Sequence, residues 1–144
     1  MKNVKTRKWL PLLLALSLCL FVTPAGAEDD ANVLGTGKTH ITVMVGISVH
    51  DFPTYYEVYT DESTLLDALL AVDLVQGEEA SWGFNVTTVG GITANYDDAG
   101  EYWEILHYVP DEGHLPLETS IVDMPIKEGD VFTFAFFNPA EEEW

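Results

Sequence analysis

From Ile41 the chain alternates strictly. Ile41, Val43, Val45, Ile47 and Val49 fall on one side, and Thr42, Met44, Gly46 and Ser48 on the other. A period of two is that of a half-buried strand, so this stretch is the clearest strand signal in the sequence. Asp51-Phe52-Pro53-Thr54 then supplies turn chemistry, and the β-prone run Tyr55-Tyr56-Glu57-Val58-Tyr59-Thr60 follows. The two segments predict an antiparallel hairpin.

The period changes at Thr64. Its hydroxyl stands three residues before Asp67, a capping-box spacing, ahead of Leu65, Leu66, Leu69, Leu70 and Val72 on one broad face. The spacing predicts a helix over 65–73 whose leucines need a sheet to cover them. Beyond an acidic loop over 76–81, three more strands are predicted at 84–89, 102–109 and 131–137. Gly90-Gly91, the stretch 96–100 and a long 110–130 connection separate them. The fold class read from this order is α+β and β-grasp-like, a mixed sheet of about five strands packed on one helix.

The N-terminus has a different composition. Lys2, Lys5, Arg7 and Lys8 precede an apolar run from Leu10 to Val22, and Ala25-Gly26-Ala27 follows. That order is the order of a cleavable secretory signal peptide over 1–27, and the run is shorter than the roughly 20 residues a membrane span requires. The expected organisation is a signal peptide at 1–27, a flexible acidic leader at 28–38, a folded domain at 39–138 and an acidic tail at 139–144. The expected location is secreted.

Charge narrows the partners. All 24 acidic residues follow Ala27, whereas only Lys38 and Lys127 remain of the six basic ones, so the formal charge after cleavage is 2 − 24 = −22. Such a domain repels phosphates and anionic lipids, which argues against nucleic acid and against membrane surfaces after cleavage. Cys19 is the one cysteine and lies in the signal segment, so a disulfide framework and a cysteine metal site are both excluded from the mature chain.

No catalytic constellation stands out. Asp97, Asp98, Glu101 and Glu104 offer carboxylates, but nothing singles out an acid–base pair. Asp97-Asp98-Ala99-Gly100-Glu101 holds oxygen ligands without the spacing of a calcium-binding helix–loop–helix. His40, His50, His107 and His114 are scattered rather than set at zinc spacing. The sequence is therefore read as non-enzymatic, with no catalytic residue, no metal ligand and no required cofactor.

Five segments taken in order resemble the transcobalamin C-terminal-like domain family. They are Thr64-Leu65-Leu66-Asp67-Ala68-Leu69, Val89-Gly90-Gly91-Ile92, Tyr102-Trp103, Tyr108-Val109 and Glu128-Gly129-Asp130-Val131. The chain departs from the family pattern after Val109, where Pro110-Asp111-Glu112-Gly113 replaces the usual Asn-Gly. The resemblance implies a module that binds a small soluble ligand, with cobalamin or another corrinoid as the candidate. It marks Gly90, Gly91, Tyr102, Trp103 and Tyr108 as candidate ligand contacts. Aromatic residues there would offer flat apolar area, and the glycines close backbone approach. The same residues suit a packed core and a turn equally well. The competing function is an extracellular structural or adhesion-type module that binds calcium or a protein partner through its acidic surface.

Overall fold

The computed structural model describes residues 32–47 and 52–141. The expected signal peptide, His50 and Val49 lie outside the described residues. Among these residues, nine strands and two short α-helices follow in the order β1 (Val33–Gly35), β2 (Thr39–Gly46), β3 (Thr54–Thr60), α1 (Leu65–Ala71), β4 (Val75–Ala80), β5 (Gly83–Val89), β6 (Ile92–Thr93), α2 (Tyr96–Ala99), β7 (Tyr102–Val109), β8 (Gly113–Pro116) and β9 (Val131–Phe137), with a 3-10 turn at Pro139–Glu141 after them. Six strands form one mixed sheet in the order β1-β3-β2-β9-β7-β8, and three form a second sheet in the order β4-β5-β6. The expected mixed sheet is present. It has six strands rather than about five, and a second sheet and a second helix join it.

The centre of the large sheet is the parallel pair β2–β9. Met44 lies opposite Thr133, 89 residues further along the chain. The alternation read from the sequence places Ile41, Val43 and Val45 inward, beside Phe132 and Phe134 of β9, all essentially inaccessible to water. They pack with Val58 of β3, with Leu65, Leu66 and Leu69 of α1, and with Val75, Val86 and Val89 of the second sheet. Burying side chains of this size contributes about 1.5–3 kcal/mol each, the largest favourable term available to a domain without disulfides.

Helix α1 begins where the capping box placed it. Thr64 is extended, and its hydroxyl accepts from the Asp67 N–H at 3.4 Å. The next orphan donors reach across the chain, Leu65 N–H to the Met124 carbonyl at 2.8 Å and Leu66 N–H to that of Ile121 at 3.3 Å. The helix turns out shorter than 65–73, because Val72 caps it and Asp73 adopts a positive φ of 55°. Leu70 is exposed rather than on the buried face.

Three segments read as loops form strands. Val33–Gly35, assigned to the flexible leader, pairs in parallel with β3. Gly113–Pro116, inside the long connection, pairs with β7. Val75–Ala80, most of the acidic loop, pairs with β5 around a register shift between Gln76 and Gly77. A Cβ at position 77 would collide with the Asn85 carbonyl, so glycine is what allows β4 to approach β5 so closely beside the bulge at Thr87.

The Glu128-Gly129-Asp130-Val131 segment aligns β9 with β2. Asp130 is only 7% exposed, and its carboxylate accepts from the Lys127 N–H at 2.9 Å. Its carbonyl accepts from Thr42 N–H at 2.9 Å, and Gly129 N–H donates to the His40 carbonyl at 2.8 Å. No helix among the described residues is long and apolar enough to cross a membrane.

Two substitutions test this frame. Phe132→Ala is expected to lower unfolding free energy by about 3–5 kcal/mol through the cavity it leaves. Asp130→Ala is expected to cost about 1–3 kcal/mol by orphaning the Lys127 amide. Urea unfolding followed by tryptophan fluorescence measures both, and equal small losses would contradict the packing described.

Candidate functional site

The β4–β5 hairpin, α2 and the start of β7 enclose an open cleft of about 580 Å³. Each wall has a local cause. Trp82 occupies the tight Ser81-Trp82-Gly83 turn between β4 and β5 and is 67% exposed. Tyr96 opens α2, whose N-cap Asn95 accepts from the Asp98 N–H at 3.1 Å, and is 69% exposed. Tyr102, 42% exposed, is held by a tilted contact with Phe137, ring centroids 4.6 Å apart.

Trp103 forms the floor and is 7% exposed. It packs edge-on against Phe136 at 5.1 Å, and its Nε1–H donates to the Thr87 carbonyl at 3.2 Å. Trp103 thereby ties β7 of the large sheet to β5 of the small one. Glu78, Asp97 and Glu101 rim the cleft together with Asn85 and Asn95, and no basic side chain lines it. Glu101 is partly committed, since it accepts from the Asn95 N–H at 2.9 Å.

Of the five residues marked by sequence, Tyr102 and Trp103 meet in this cleft. Gly90 and Gly91 do not line it. They form the two-residue loop between Val89 and Ile92, with φ values of 57° and 82°, and positive φ at both positions is what a type I′ hairpin turn demands. The Gly90 N–H donates to the Leu74 carbonyl at 2.9 Å. Tyr108 lies at the far end of β7 against His114, ring centroids 5.2 Å apart. Trp82 and Tyr96 are the contributors that spacing alone does not bring together. The one local signal is a tryptophan placed in a turn, where no core requires it.

The three described histidines, His40, His107 and His114, have structural partners. His40 pairs with Glu57 and stacks on Tyr59 at 4.8 Å. His107 stacks on Phe132 at 4.8 Å with Nε2 3.5 Å from Asp130 Oδ1, and His114 Nδ1 lies 3.1 Å from the Thr133 hydroxyl. Among the described residues, no three His, Cys, Asp or Glu side chains converge as a ligand set for a metal ion.

The two tryptophans should respond oppositely to truncation. Trp103→Ala is expected to cost about 3–5 kcal/mol of stability. Trp82→Ala, at an exposed turn, should stay within about 0.5 kcal/mol of wild type. Chemical denaturation of both variants decides this, and a large loss at Trp82 would make it a packing residue.

No protein-family model matches the chain, and no curated protein does. Among solved structures, the chain is similar to a candidate metal-binding protein from Ruminococcus gnavus. The two are 30% identical with a TM-score of 0.61, over 70% of this chain and 98% of that one. It is also similar to haptocorrin in complex with Cbi, at 21% identity and a TM-score of 0.48, over 72% of this chain and 26% of haptocorrin. At 30% identity over nearly the whole of the Ruminococcus gnavus protein, the chain belongs to the same family as that protein.

Proposed function

We propose that this chain is an exported, non-enzymatic module of the β-grasp kind that binds a soluble ligand in the Trp82–Tyr96–Tyr102 cleft. The observation that carries the reading is the convergence of three exposed aromatic rings, from three separate elements, on one concave space. Leaving such rings exposed forgoes burial, and clustered exposed apolar surface with a polar rim is the usual mark of a binding site. A volume of about 580 Å³ lies within the range of small-molecule pockets. The β-grasp assignment is supported by the parallel pairing of β2 with the last strand at the centre of the sheet. Export is supported by the basic, apolar and small-residue order over 1–27.

The ligand to test first is the corrinoid named by the sequence resemblance. A flat macrocycle would lie against the exposed rings while the Asn85 side chain meets its polar edge. The open cleft would cover one side of so large a ligand. The non-enzymatic reading rests on the sequence, in which no catalytic constellation stands out.

A second reading is an extracellular structural or adhesion-type module that binds calcium or a protein through its acidic surface. The formal charge of −22 carried by residues 28–144 favours it, as does the description of the Ruminococcus gnavus relative as a candidate metal-binding protein.

Isothermal titration with cyanocobalamin and cobinamide, read in parallel by corrin absorbance, tests the first reading. The expected result is micromolar or tighter binding of at least one, weakened about tenfold by Trp82→Ala through loss of stacking. No heat and no spectral change with either compound removes the corrinoid. If millimolar calcium then raises the melting temperature, the second reading takes its place.

A further inference from the structure

Strand β4 is the edge of the small sheet. Among the described residues it pairs with β5 alone, and no other described strand meets its other side. An unpaired edge carries a row of N–H and C=O groups able to receive another extended chain. What flanks this edge is unusual in its symmetry. Successive strand residues point to opposite faces, so Glu78 lines the aromatic cleft on one face of the hairpin. Glu79 lines a second cleft, of about 590 Å³, formed on the other face with α1 and the segment 120–123. Trp82, at the hairpin tip, belongs to both clefts.

The hairpin is thus a blade with a cleft on either side and its open edge between them. The two clefts carry the same charge. Asp97 and Glu101 accompany Glu78 in the first, Asp67 and Asp123 accompany Glu79 in the second, and no Lys, Arg or His lines either.

We propose that the free edge of β4 takes up an extended, lysine- or arginine-bearing peptide segment of another protein, which adds as a fourth strand to the β4-β5-β6 sheet. Main-chain hydrogen bonds hold such a strand regardless of its sequence, and pockets for alternate side chains select it. Here consecutive basic residues of the incoming strand would fall alternately into the two carboxylate-lined clefts, with their aliphatic stems near Trp82. Charge decides the occupant. A second copy of this chain paired edge to edge would bring Glu78 and Glu79 against their own counterparts, and like charges directly opposite are destabilising. The extra residue at the register shift is Thr87 of β5, so β4 itself runs without interruption over Val75–Ala80 and offers that stretch to the added strand. The proposal goes beyond the soluble-ligand reading and does not depend on the corrinoid.

The test uses a blocked heptapeptide, Thr-Lys-Lys-Thr-Lys-Lys-Thr, and two versions of it methylated at alternate backbone nitrogens in either phase. All three carry the same charge, but each methylated version lacks one edge of donors. Binding is measured by titration calorimetry and by backbone amide shifts of the protein. The expected result is saturable binding of the parent peptide, with shifts concentrated in 75–80 and a loss of about tenfold for at least one methylated version. The Glu78→Lys/Glu79→Lys variant, changed at two exposed positions and checked by its melting temperature, should also bind about tenfold more weakly. The proposal is overturned by no binding of the parent at millimolar concentration or by equal binding of all three peptides. It is equally overturned by shifts that lie away from β4 or by unchanged affinity in a folded double variant.

Discussion

The parallel pairing of β2 with β9 is the contact on which the remaining architecture rests. It brings Val43 beside Phe132 and Val45 beside Phe134 at the middle of the large sheet, where both aromatic rings lose all contact with water. β3 adds to one flank and β7 to the other, so every further strand of that sheet is placed relative to this pair. The pair is brought into register by a turn rather than by apolar packing alone. The buried Asp130 carboxylate closes a hydrogen bond with the Lys127 amide just where β9 begins, and its carbonyl receives Thr42. A buried carboxylate is tolerable because its acceptors are engaged.

The site depends on this frame at one remove. β7 is placed by β9, and Trp103 on β7 then reaches across to the Thr87 carbonyl of the small sheet. Through that contact the β4–β5 hairpin stands opposite Tyr102 and α2, and the space between becomes a cleft. The aromatic residue that builds the site is therefore a buried one, whereas those available to a ligand sit on a turn, a short helix and a strand start. Position and contact are divided among different side chains.

Much of this was legible in the sequence, and the reasons for the gaps are physical. The 102–109 strand matches β7 residue for residue, because its alternation and β-prone composition agree. Thr64 and Asp67 announce the start of α1, because a cap is a local interaction. β4 was hidden because Gln76-Gly77-Glu78-Glu79 has the composition of a loop. It is strand only through its pairing with β5 and the absence of a side chain at position 77. β1 escaped because three residues carry no period. Gly90 and Gly91 were visible as a pair, but a turn and a ligand contact demand the same residue. The meeting of Trp82, Tyr96 and Tyr102 follows from how two sheets dock, which no spacing along the chain encodes.

The start of α1 has a further consequence. Its first two amides are closed by the carbonyls of Met124 and Ile121, and Ile126 returns a hydrogen bond to Ser63, so the helix is completed by a segment synthesised long after it. A seven-residue helix is far too short to persist alone in water. With its central strand also arriving last, the core closes through contacts distant in sequence, which make for slow closure. Were the chain exported as proposed, that delay would help keep it extended until the segment that closes α1 and forms β9 had been made.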